Sequence, residues 1–199
     1  TGEPAWDFPA PAKLPEEAFR GFQALHGYAS STPATDGELL YVFFGKSGVK
    51  ALKLDGKEKW SQSVGEGKHG WGSATSPVLY KNLVIVNASV ASGALVALDK
   101  TTGKQVWSAK GVRSAWNSPV LVTPENGKTE VVISSQAEVL AYDAESGQPA
   151  WRCTGVKDYV CPTVLVHGDV VYAIGARSGM GVAVKAGGKG NVSPLWEMG

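Results

Sequence analysis

Residues 97–107 read ALDKTTGKQVW, and residues 141–151 repeat the pattern as AYDAESGQPAW. The two copies share an alanine, an aspartate, a Thr-Gly or Ser-Gly pair and a tryptophan at identical spacing. Residues 1–6, TGEPAW, match the end of the second copy, a degenerate copy ends at Trp60, and a looser one ends at Trp196. A unit repeated at a fixed period indicates a repeat architecture, which constrains the fold more than any single residue does.

Two kinds of residue mark the period. The tryptophans at positions 6, 60, 107, 151 and 196 are separated by 54, 47, 44 and 45 residues. The prolines at positions 33, 77, 119 and 162 lie about midway between them and are separated by 44, 42 and 43 residues. Periods of about 40–45 residues with four strands each are typical of propeller blades.

Each period predicts four short strands joined by tight turns. In the second period we expect strands at 75–80, 83–88, 95–98 and 104–108, and in the third period Asn126-Gly127 is a strong hairpin signal. The sequence therefore predicts an all-β propeller with four-stranded antiparallel blades. The predicted units are residues 1–8 as the outer strand of a preceding blade, 9–29 as a linker, and 30–72, 73–115, 116–159 and 160–199 as four full blades.

The stretch from residue 9 to 25 does not follow the repeat. Prolines at positions 9, 11 and 15 stiffen it, and residues 15–22 predict one short helix that starts with proline and continues with acidic residues. The side chains expected to face the body of the protein are Leu14, Ala18, Phe19 and Phe22.

Each repeated residue type has a physical role in a blade. Proline suits the innermost strand, an edge strand, because it has no N–H to donate. The glycine before each tryptophan supplies a positive φ for the turn, and the aspartate before that turn accepts backbone N–H groups. The tryptophan then packs between blades, where its loss to alanine costs about 3–5 kcal/mol. We expect four of them to be mostly buried in equivalent environments: Trp60, Trp107, Trp151 and Trp196.

The repeated string resembles the tryptophan-docking motif of PQQ-type propellers, which both full copies match at every position. Residues 26–199 also resemble the secreted bacterial PQQ-binding-like propeller repeat proteins, through HGYASSTP at 26–33, FG at 44–45, LDG at 54–56 and KAGGKG at 185–190. The resemblance implies the PQQ-like propeller fold and a periplasmic or extracellular location.

Members of the family that this chain resembles look like rings of seven or eight blades, and closed propellers typically have four to eight. We therefore expect the chain to be a piece of a longer protein whose remaining blades complete the ring. Two alternatives stay open. Two copies could pair to close an eight-bladed ring, or the chain could form a small closed ring with residues 1–8 as an extra outer strand.

Composition argues against several partners. The 19 Lys and Arg residues balance 18 Asp and Glu residues to a net charge of +1, which gives no electrostatic footprint for nucleic acid or an anionic membrane. No apolar run approaches the length of a membrane span.

Cys153 and Cys161 lie eight residues apart, either as a disulfide in an oxidising compartment or as two small buried apolar side chains.

The linker into each first strand carries an aromatic residue ahead of the proline. These aromatics are Tyr28, Trp71, Trp116 and Tyr159. Polar residues that differ between blades lie beside them or in the loops after the second strands: His26, His69, Arg113, Asn117, Asp158, Lys46, Gln136 and Arg177. We call both groups together the rim. Because these linkers and loops share one face of a propeller, we expect the rim to surround the channel mouth and bind a ligand. The alternative is that the aromatics only plug the channel and brace the blades.

The sequence predicts neither a catalytic constellation nor a metal site. His26 and His69 are equivalent in adjacent blades, but no third ligand matches them. The glycines at 187–190 fall where other blades turn from the third to the fourth strand, so we expect a hairpin there and not a phosphate-binding loop. Catalytic PQQ enzymes resemble this fold but add a carboxylate base, a cation site of Glu, Asn and Asp, and usually adjacent cysteines. Here the cysteines are not adjacent, and Asp158 is the only carboxylate of the rim linkers that could serve as a base.

The chain also has a distant resemblance to the outer-membrane assembly lipoprotein, a PQQ-type propeller that lacks the cofactor. That resemblance implies a non-enzymatic binding or scaffold module without a cofactor. Its partner would be a protein or a glycan at the rim, with self-association or the remainder of the propeller as further contacts. Two alternatives stay open. The chain is part of a PQQ-dependent dehydrogenase, using PQQ and calcium, whose catalytic residues lie outside this chain, or it is a purely structural module in a larger enzyme.

Overall fold

A computed structural model describes residues 2–113, 115–125, 127–159 and 161–199. Nearly all regular structure in these residues is β, arranged as four antiparallel sheets that follow one another along the chain. This architecture confirms the all-β propeller with four-stranded antiparallel blades. The turn predicted at Asn126 lies outside the described residues.

The first sheet contains β1 (Ala34–Thr35), β2 (Leu39–Phe43), β3 (Val49–Lys53) and β4 (Glu58–Gln62). The second contains β5 (Val78–Tyr80), β6 (Leu83–Ala88), β7 (Ala94–Asp99) and β8 (Gln105–Lys110). The third contains β9 (Val120–Val122), β10 (Glu130–Ser135), β11 (Glu138–Asp143) and β12 (Pro149–Thr154). The fourth contains β13 (Leu165–His167), β14 (Val170–Ile174), β15 (Gly181–Lys185) and β17 (Trp196–Met198), while the two-residue β16 (Gly190–Asn191) joins the third sheet. In the described ranges, helical structure is limited to α1 (Phe22–His26), a 3-10 turn (Gly45–Ser47) and α2 (Ser89–Ser92).

The middle strands of the second and third sheets are covered on both faces. Every residue of β6 and of β10 is buried. Along β6, Val84 and Val86 pack into a cluster shared with the first sheet, whereas Leu83 and Ile85 pack into a cluster shared with the third. The period of two that a strand imposes therefore divides apolar side chains between two interfaces instead of between core and solvent. A third cluster joins the third and fourth sheets.

A tryptophan of one sheet lies on a glycine of the next. A Cβ added to Gly103 would come within 2.7 Å of the Trp60 ring, and one added to Gly147 within 2.6 Å of the Trp107 ring. Both glycines have positive φ, 73° and 70°, as the turn requires. The ring contact supplies a second reason for glycine that turn chemistry alone does not give: the neighbouring indole occupies the space of a side chain.

The aspartate ahead of each turn acts as predicted. The Oδ1 atom of Asp99 accepts hydrogen bonds from the backbone N–H groups of Thr101 and Thr102 and from the Thr102 hydroxyl, and Asp143 repeats this pattern one blade later. The bond from the Thr102 hydroxyl, helped by the backbone donors, holds the pKa of Asp99 below its usual value against the opposing effect of burial. The turn geometry is thus encoded within a few consecutive residues.

The prediction that the four repeat tryptophans are equally buried is correct for three of them. Trp60, Trp107 and Trp151 are 9%, 8% and 3% exposed, whereas Trp196 is 45% exposed. The expectation for Trp196 is wrong because each buried ring is covered by residues of the following sheet, and among the described residues no sheet follows the fourth.

The segment before the first sheet departs from its prediction. Residues 15–21 form no helix, and α1 begins at Phe22 after Gly21, whose φ is 62°. The side chains expected to face inward are exposed instead: Leu14, Ala18, Phe19 and Phe22. Polar contacts hold this segment, since the Lys46 ammonium donates to the carbonyl of Pro15 and the N–H of Lys13 donates to the Ser47 hydroxyl at 2.9 Å.

Residues 2–10 contain no strand, although a strand was expected at 1–8. Trp6 nevertheless packs on the first sheet in the same way that Trp60 packs on the second sheet and Trp107 on the third. A Cβ on Gly56 would come within 2.8 Å of its ring, and its Nε1 atom donates to the carbonyl of Leu54 at 2.8 Å.

The connection between β15 and β17 is longer than the predicted hairpin at 187–190. Residues 190–191 pair in parallel with β12, opposite Trp151 and Arg152, and give the third sheet a fifth strand. The chain returns where the N–H of Leu195 donates to the carbonyl of Ala183 at 2.7 Å. Through this glycine-rich connection, the fourth blade therefore contributes a strand to the third sheet.

The four sheets follow one another without closing a ring. The apolar clusters join the first sheet to the second, the second to the third and the third to the fourth. The alternative of a small closed ring built from this chain is therefore wrong. Within the described residues, no helix has the length and apolar character needed to cross a membrane.

Candidate functional site

Three of the four rim aromatics meet in one cluster. The ring centroids of Trp71 and Trp116 lie 4.8 Å apart, and those of Trp71 and Tyr159 also lie 4.8 Å apart. His69 adds its ring edge-on, 4.9 Å from Trp116. These residues come from the linkers into the second, third and fourth sheets, so the cluster joins three blades at one face.

Tyr28 does not join this cluster. Its ring packs edge-on against Phe19 at 5.3 Å, and its hydroxyl donates to the carbonyl of Glu17 at 3.2 Å. The aromatic of the first blade thus anchors the segment that precedes the first sheet. The sequence could not distinguish Tyr28 from the other three because its contacts come from outside the repeat.

The aromatic cluster forms one wall of a cavity of about 960 Å³, which we call the larger cavity. Rim residues from three blades line it: His69, Trp71, Arg113, Trp116, Gln136, Asp158 and Tyr159. Further lining comes from Gly111, Ser135, Ala137, Glu138 and Lys157. Sites that bind small ligands commonly measure about 300–1,000 Å³ and combine apolar walls with a few polar groups, which matches this composition.

A smaller cavity of about 370 Å³ is lined by the same aromatics. Trp71, Trp116 and Tyr159 line both cavities. The other residues of its wall are Phe22, His26, Ala74, Ser118, Cys161, Thr163, Ala176 and Arg177. The two cavities therefore share one aromatic wall.

Asp158 organises the fourth-blade side of the site. Its carboxylate accepts the backbone N–H groups of Arg177, Ser178 and Tyr159 at 2.6–2.7 Å. These bonds, led by the one from Arg177, lower the pKa of Asp158 to about 2. The residue is thus an anion at neutral pH whose oxygens already hold the loop that carries Arg177.

Backbone hydrogen bonds position Arg113 and Trp116. The Ser135 hydroxyl accepts the N–H of Arg113 at 3.1 Å and donates to its carbonyl at 3.0 Å. The Nε1 atom of Trp116 donates to the carbonyl of Gly72 at 3.2 Å, and only 8% of Trp116 is exposed. Trp116 therefore braces the neighbouring linker as well as lining both cavities.

Two rim residues lie elsewhere than expected. Asn117 is fully buried, where its amide donates to the carbonyl of Ser134 at 2.6 Å and accepts the N–H of Ser134 at 3.2 Å. Its assignment to a ligand-binding surface is wrong because those backbone groups need a partner inside the protein. Lys46 is buried against Pro15 and does not reach the cavities.

The structure adds residues that the sequence analysis missed. Lys157 and Glu138 line the larger cavity, and Phe22 and Cys161 line the smaller one. Lys157 had a sequence signal, since it directly precedes Asp158 in a rim linker. Phe22 had none, because the segment that carries it has no counterpart in the repeat.

The cysteines and histidines form no shared centre. Cys153 is buried, Cys161 is exposed, and both thiols are free, so neither sequence alternative describes the pair fully. His26 lines the smaller cavity and His69 the larger. The Nδ1 atom of His69 accepts the backbone N–H of Trp71 at 3.1 Å, which leaves Nε2 as its donor.

The fold family implies PQQ with calcium, and the residues at the site do not fit that group. A calcium ion takes six to eight oxygen ligands at one point. The carboxylate of Asp158 is already engaged by backbone donors, and that of Glu138 pairs with Arg152 at 3.5 Å. Across the described ranges, no group of three or more His, Cys, Asp or Glu residues could hold a metal ion.

Comparison with known proteins places the chain in a family. The family model described as "Outer membrane protein assembly factor BamB" matches residues 1–179. The chain is 34% identical over 99 residues to the outer membrane protein assembly factor BamB of Salmonella typhimurium, an alignment that covers 47% of this chain and 25% of that protein. The matched region therefore spans about a quarter of the length of this relative.

Solved structures share the fold. A quinohemoprotein alcohol dehydrogenase from Pseudomonas putida HK5 superposes with a TM-score of 0.61 at 19% identity, covering 85% of this chain and 34% of that one. BamB from Moraxella catarrhalis superposes with a TM-score of 0.54 at 16% identity, covering 86% of this chain and 63% of that one. At such identities the likeness establishes the propeller fold alone. Because the family model spans residues 1–179 of 199, the chain belongs to the PQQ-repeat family of the outer membrane protein assembly factor BamB.

Proposed function

We propose that this chain is a non-catalytic protein-binding module that holds its partner in the larger cavity. The observation that carries the proposal is the aromatic cluster of Trp71, Trp116 and Tyr159, which opens onto that cavity beside Arg113 and Lys157. The partner is a protein segment, in preference to a glycan.

The composition of the wall supports protein binding. Tryptophan, tyrosine and arginine are the residues that most often dominate the free energy of protein interfaces. Tyr159 is 43% exposed, which leaves apolar ring surface available to a partner. The channel-plug alternative accounts for Trp116, which is buried, but does not account for an exposed aromatic beside a cavity of about 960 Å³.

The family supports the cellular setting. Its described members are outer membrane protein assembly factors, so we place this chain in the periplasm as part of a protein assembly. The described sheets do not close a ring, and we propose that further blades, from a longer chain or from a second copy, complete it. The structural likeness to a quinohemoprotein dehydrogenase concerns the fold, and no feature of the site favours that activity.

Site-specific photocrosslinking tests the proposal. A photoreactive residue at Gln136, which is exposed and lines the larger cavity, is compared with one at Lys104, which is exposed in the turn between β7 and β8. In the full-length protein in its native envelope, we expect a discrete crosslinked protein from Gln136 and none of the same mass from Lys104. Equal products from both positions, or none from Gln136, would contradict the proposal.

A further inference from the structure

The basic and acidic side chains of the larger cavity differ in how they are engaged within the protein. Arg113 and Lys157 are exposed on its wall, and within the part of the chain that the structure describes neither side chain has an ion pair. The acidic residues of the same wall are already engaged. Glu138 pairs with Arg152 at 3.5 Å, and Asp158 accepts three backbone N–H groups. Among the described residues, the wall therefore offers two cations whose side chains are not engaged, Arg113 and Lys157, whereas Glu138 and Asp158 keep their negative charge but have their oxygens engaged within the protein.

The smaller cavity offers a different chemistry. Phe22, Ala74 and Cys161 line it together with the shared aromatic wall. Phe22 is 49% exposed, and its ring lies edge-on to Trp71 at 5.6 Å. The guanidinium of Arg177 lies 5.0 Å from the centre of the Tyr159 ring, so its charge is stacked on an aromatic face. This cavity therefore suits apolar side chains.

We infer that the two cavities together bind an extended acidic peptide. Its carboxylates lie in the larger cavity against Arg113 and Lys157, and its apolar side chains lie in the smaller cavity against Phe22 and Tyr159. This inference rests on the proposed function and names the chemistry of the partner.

Charge complementarity and size both favour this occupant. Two cations that form no ion pair with the described residues gain Coulomb energy from a partner's carboxylates, and the attraction is strongest at low ionic strength. The larger cavity alone is at the upper end of the range of about 300–1,000 Å³ for small-ligand sites, and the smaller cavity adds a second space against the same three aromatics. A short anion would fill only the first part, whereas a peptide with an acidic end and an apolar end matches both.

The shared wall argues against a glycan. Sugar rings stack on open aromatic faces, yet Trp116 is 8% exposed and the rings of Trp71 and Trp116 are tilted by 49° against each other. Apolar side chains adapt to such a wall because their contacts depend on buried area and not on a parallel face.

Peptide binding by fluorescence anisotropy tests the inference in the full-length protein. The probe is a labelled eight-residue peptide with two glutamates at one end and Phe-Leu at the other. Matched peptides replace the glutamates with lysines or the Phe-Leu pair with serines, and trigalacturonate serves as an acidic glycan. We expect only the acidic–apolar peptide to bind well, with affinity that weakens as NaCl rises from 50 to 300 mM.

Protein variants locate the two contacts. Arg113→Gln with Lys157→Gln should weaken binding roughly two- to thirtyfold, from about 0.2–1 kcal/mol per exposed charge pair. Lys104→Gln with Lys189→Gln removes the same charge from exposed residues between third and fourth strands and should leave affinity unchanged. Phe22→Ser should also weaken binding, whereas Leu25→Ser, at a residue of α1 that is 81% exposed and lines neither cavity, should not.

Each result decides the inference separately from the proposed function. Equal binding of the lysine peptide, or unchanged affinity in the Arg113 and Lys157 variant, overturns the acidic partner. Binding of trigalacturonate without binding of any peptide also overturns it in favour of a glycan. If photocrosslinking at Gln136 succeeds while no acidic peptide binds, this inference fails and the proposed function stands. If neither experiment gives a signal, both are wrong.

Discussion

The indole ring of Trp107 lies directly on the backbone of Gly147, so that a Cβ at residue 147 would come within 2.6 Å of the ring. The same relationship joins Trp60 to Gly103 one blade earlier, at 2.7 Å. The first two interfaces between the sheets therefore each seat a tryptophan from one sheet on a bare turn of the next. This contact couples the turn chemistry of one repeat to the packing of its neighbour.

Gly147→Ala should destabilise the protein more than Gly168→Ala. Both glycines have positive φ, which costs an alanine about 1–2 kcal/mol, but at Gly168 an added Cβ meets nothing within 4 Å. Overpacking against Trp107 should add roughly 1–3 kcal/mol at Gly147. Urea unfolding of the two variants measures the difference, and equal losses would show that the ring contact carries no energy.

Trp60→Phe should cost more stability than Trp107→Phe. The Nε1 atom of Trp60 donates to the carbonyl of Lys100 at 2.8 Å, whereas the buried Nε1 atom of Trp107 has no hydrogen-bond partner among the residues that the structure describes. Phenylalanine loses a hydrogen bond of about 1 kcal/mol at the first position and removes an unsatisfied donor at the second. Chemical denaturation of both variants should therefore differ by about 1–3 kcal/mol. The opposite order would contradict the hydrogen-bond argument.

Trp116→Ala should destabilise the fold strongly, and Tyr159→Ala should not. Trp116 is 8% exposed and its Nε1 atom bonds the carbonyl of Gly72, so we expect a loss of about 3–5 kcal/mol. Tyr159 is 43% exposed, and we expect a loss near 1 kcal/mol or less. Thermal melts distinguish the two. A similar loss for both would mean that Tyr159 is a structural brace and would weaken its role in binding.

Glu130 should make stability depend on pH. Burial raises the pKa of its carboxyl group, although the Trp151 Nε1–H at 2.6 Å and the N–H of Gly187 act in the opposite direction. Because its pKa is higher in the folded state, the Glu130 carboxyl group contributes its full stabilisation below the unfolded-state pKa of about 4.3. This stabilisation is lost as the pH rises through the folded-state pKa. The stability of the wild type relative to Glu130→Gln should therefore decline from about pH 4 upward.

Urea unfolding between pH 4 and pH 8 checks this sign. Glu125→Gln, at an exposed position of the preceding loop, serves as the control and should give a curve parallel to the wild type. A wild-type advantage over Glu130→Gln that grows with pH would show that the hydrogen bonds outweigh burial.

PQQ with calcium should leave the melting temperature unchanged. The oxygens of Asp158 and Glu138 are engaged within the protein and do not assemble a cation site. A ligand present at 100 times its dissociation constant stabilises the folded state by about 2.7 kcal/mol. For a domain of this size that corresponds to roughly 5–11 °C. A shift of this size with both additives present would revive the dehydrogenase alternative.

The repeat sequence was sufficient to predict the blade. The two middle strands of the second sheet, β6 and β7, lie within one residue of the predicted 83–88 and 95–98, because apolar alternation and turn residues act over a few consecutive positions. Asp99 and Asp143 hold their turns as expected for the same reason. The short helix at 15–22 was mispredicted because it rested on local propensity alone, and the polar contacts of Lys13 and Lys46 hold that segment in another conformation.

The sequence by itself determined the period, the four-stranded blades and the face that carries Trp71, Trp116 and Tyr159, because each depends on signals within one repeat. Only the tertiary structure decided which rim residues share a cavity. Asn117 turns inward to satisfy the backbone of Ser134, and Phe22 enters from a segment outside the repeat. Contacts between blades join residues that are distant in sequence, as in the bonds from Asn87 to Asn117 and from Trp60 to Lys100, 30 and 40 positions apart, and the local pattern of any one repeat does not encode how its linker meets the next.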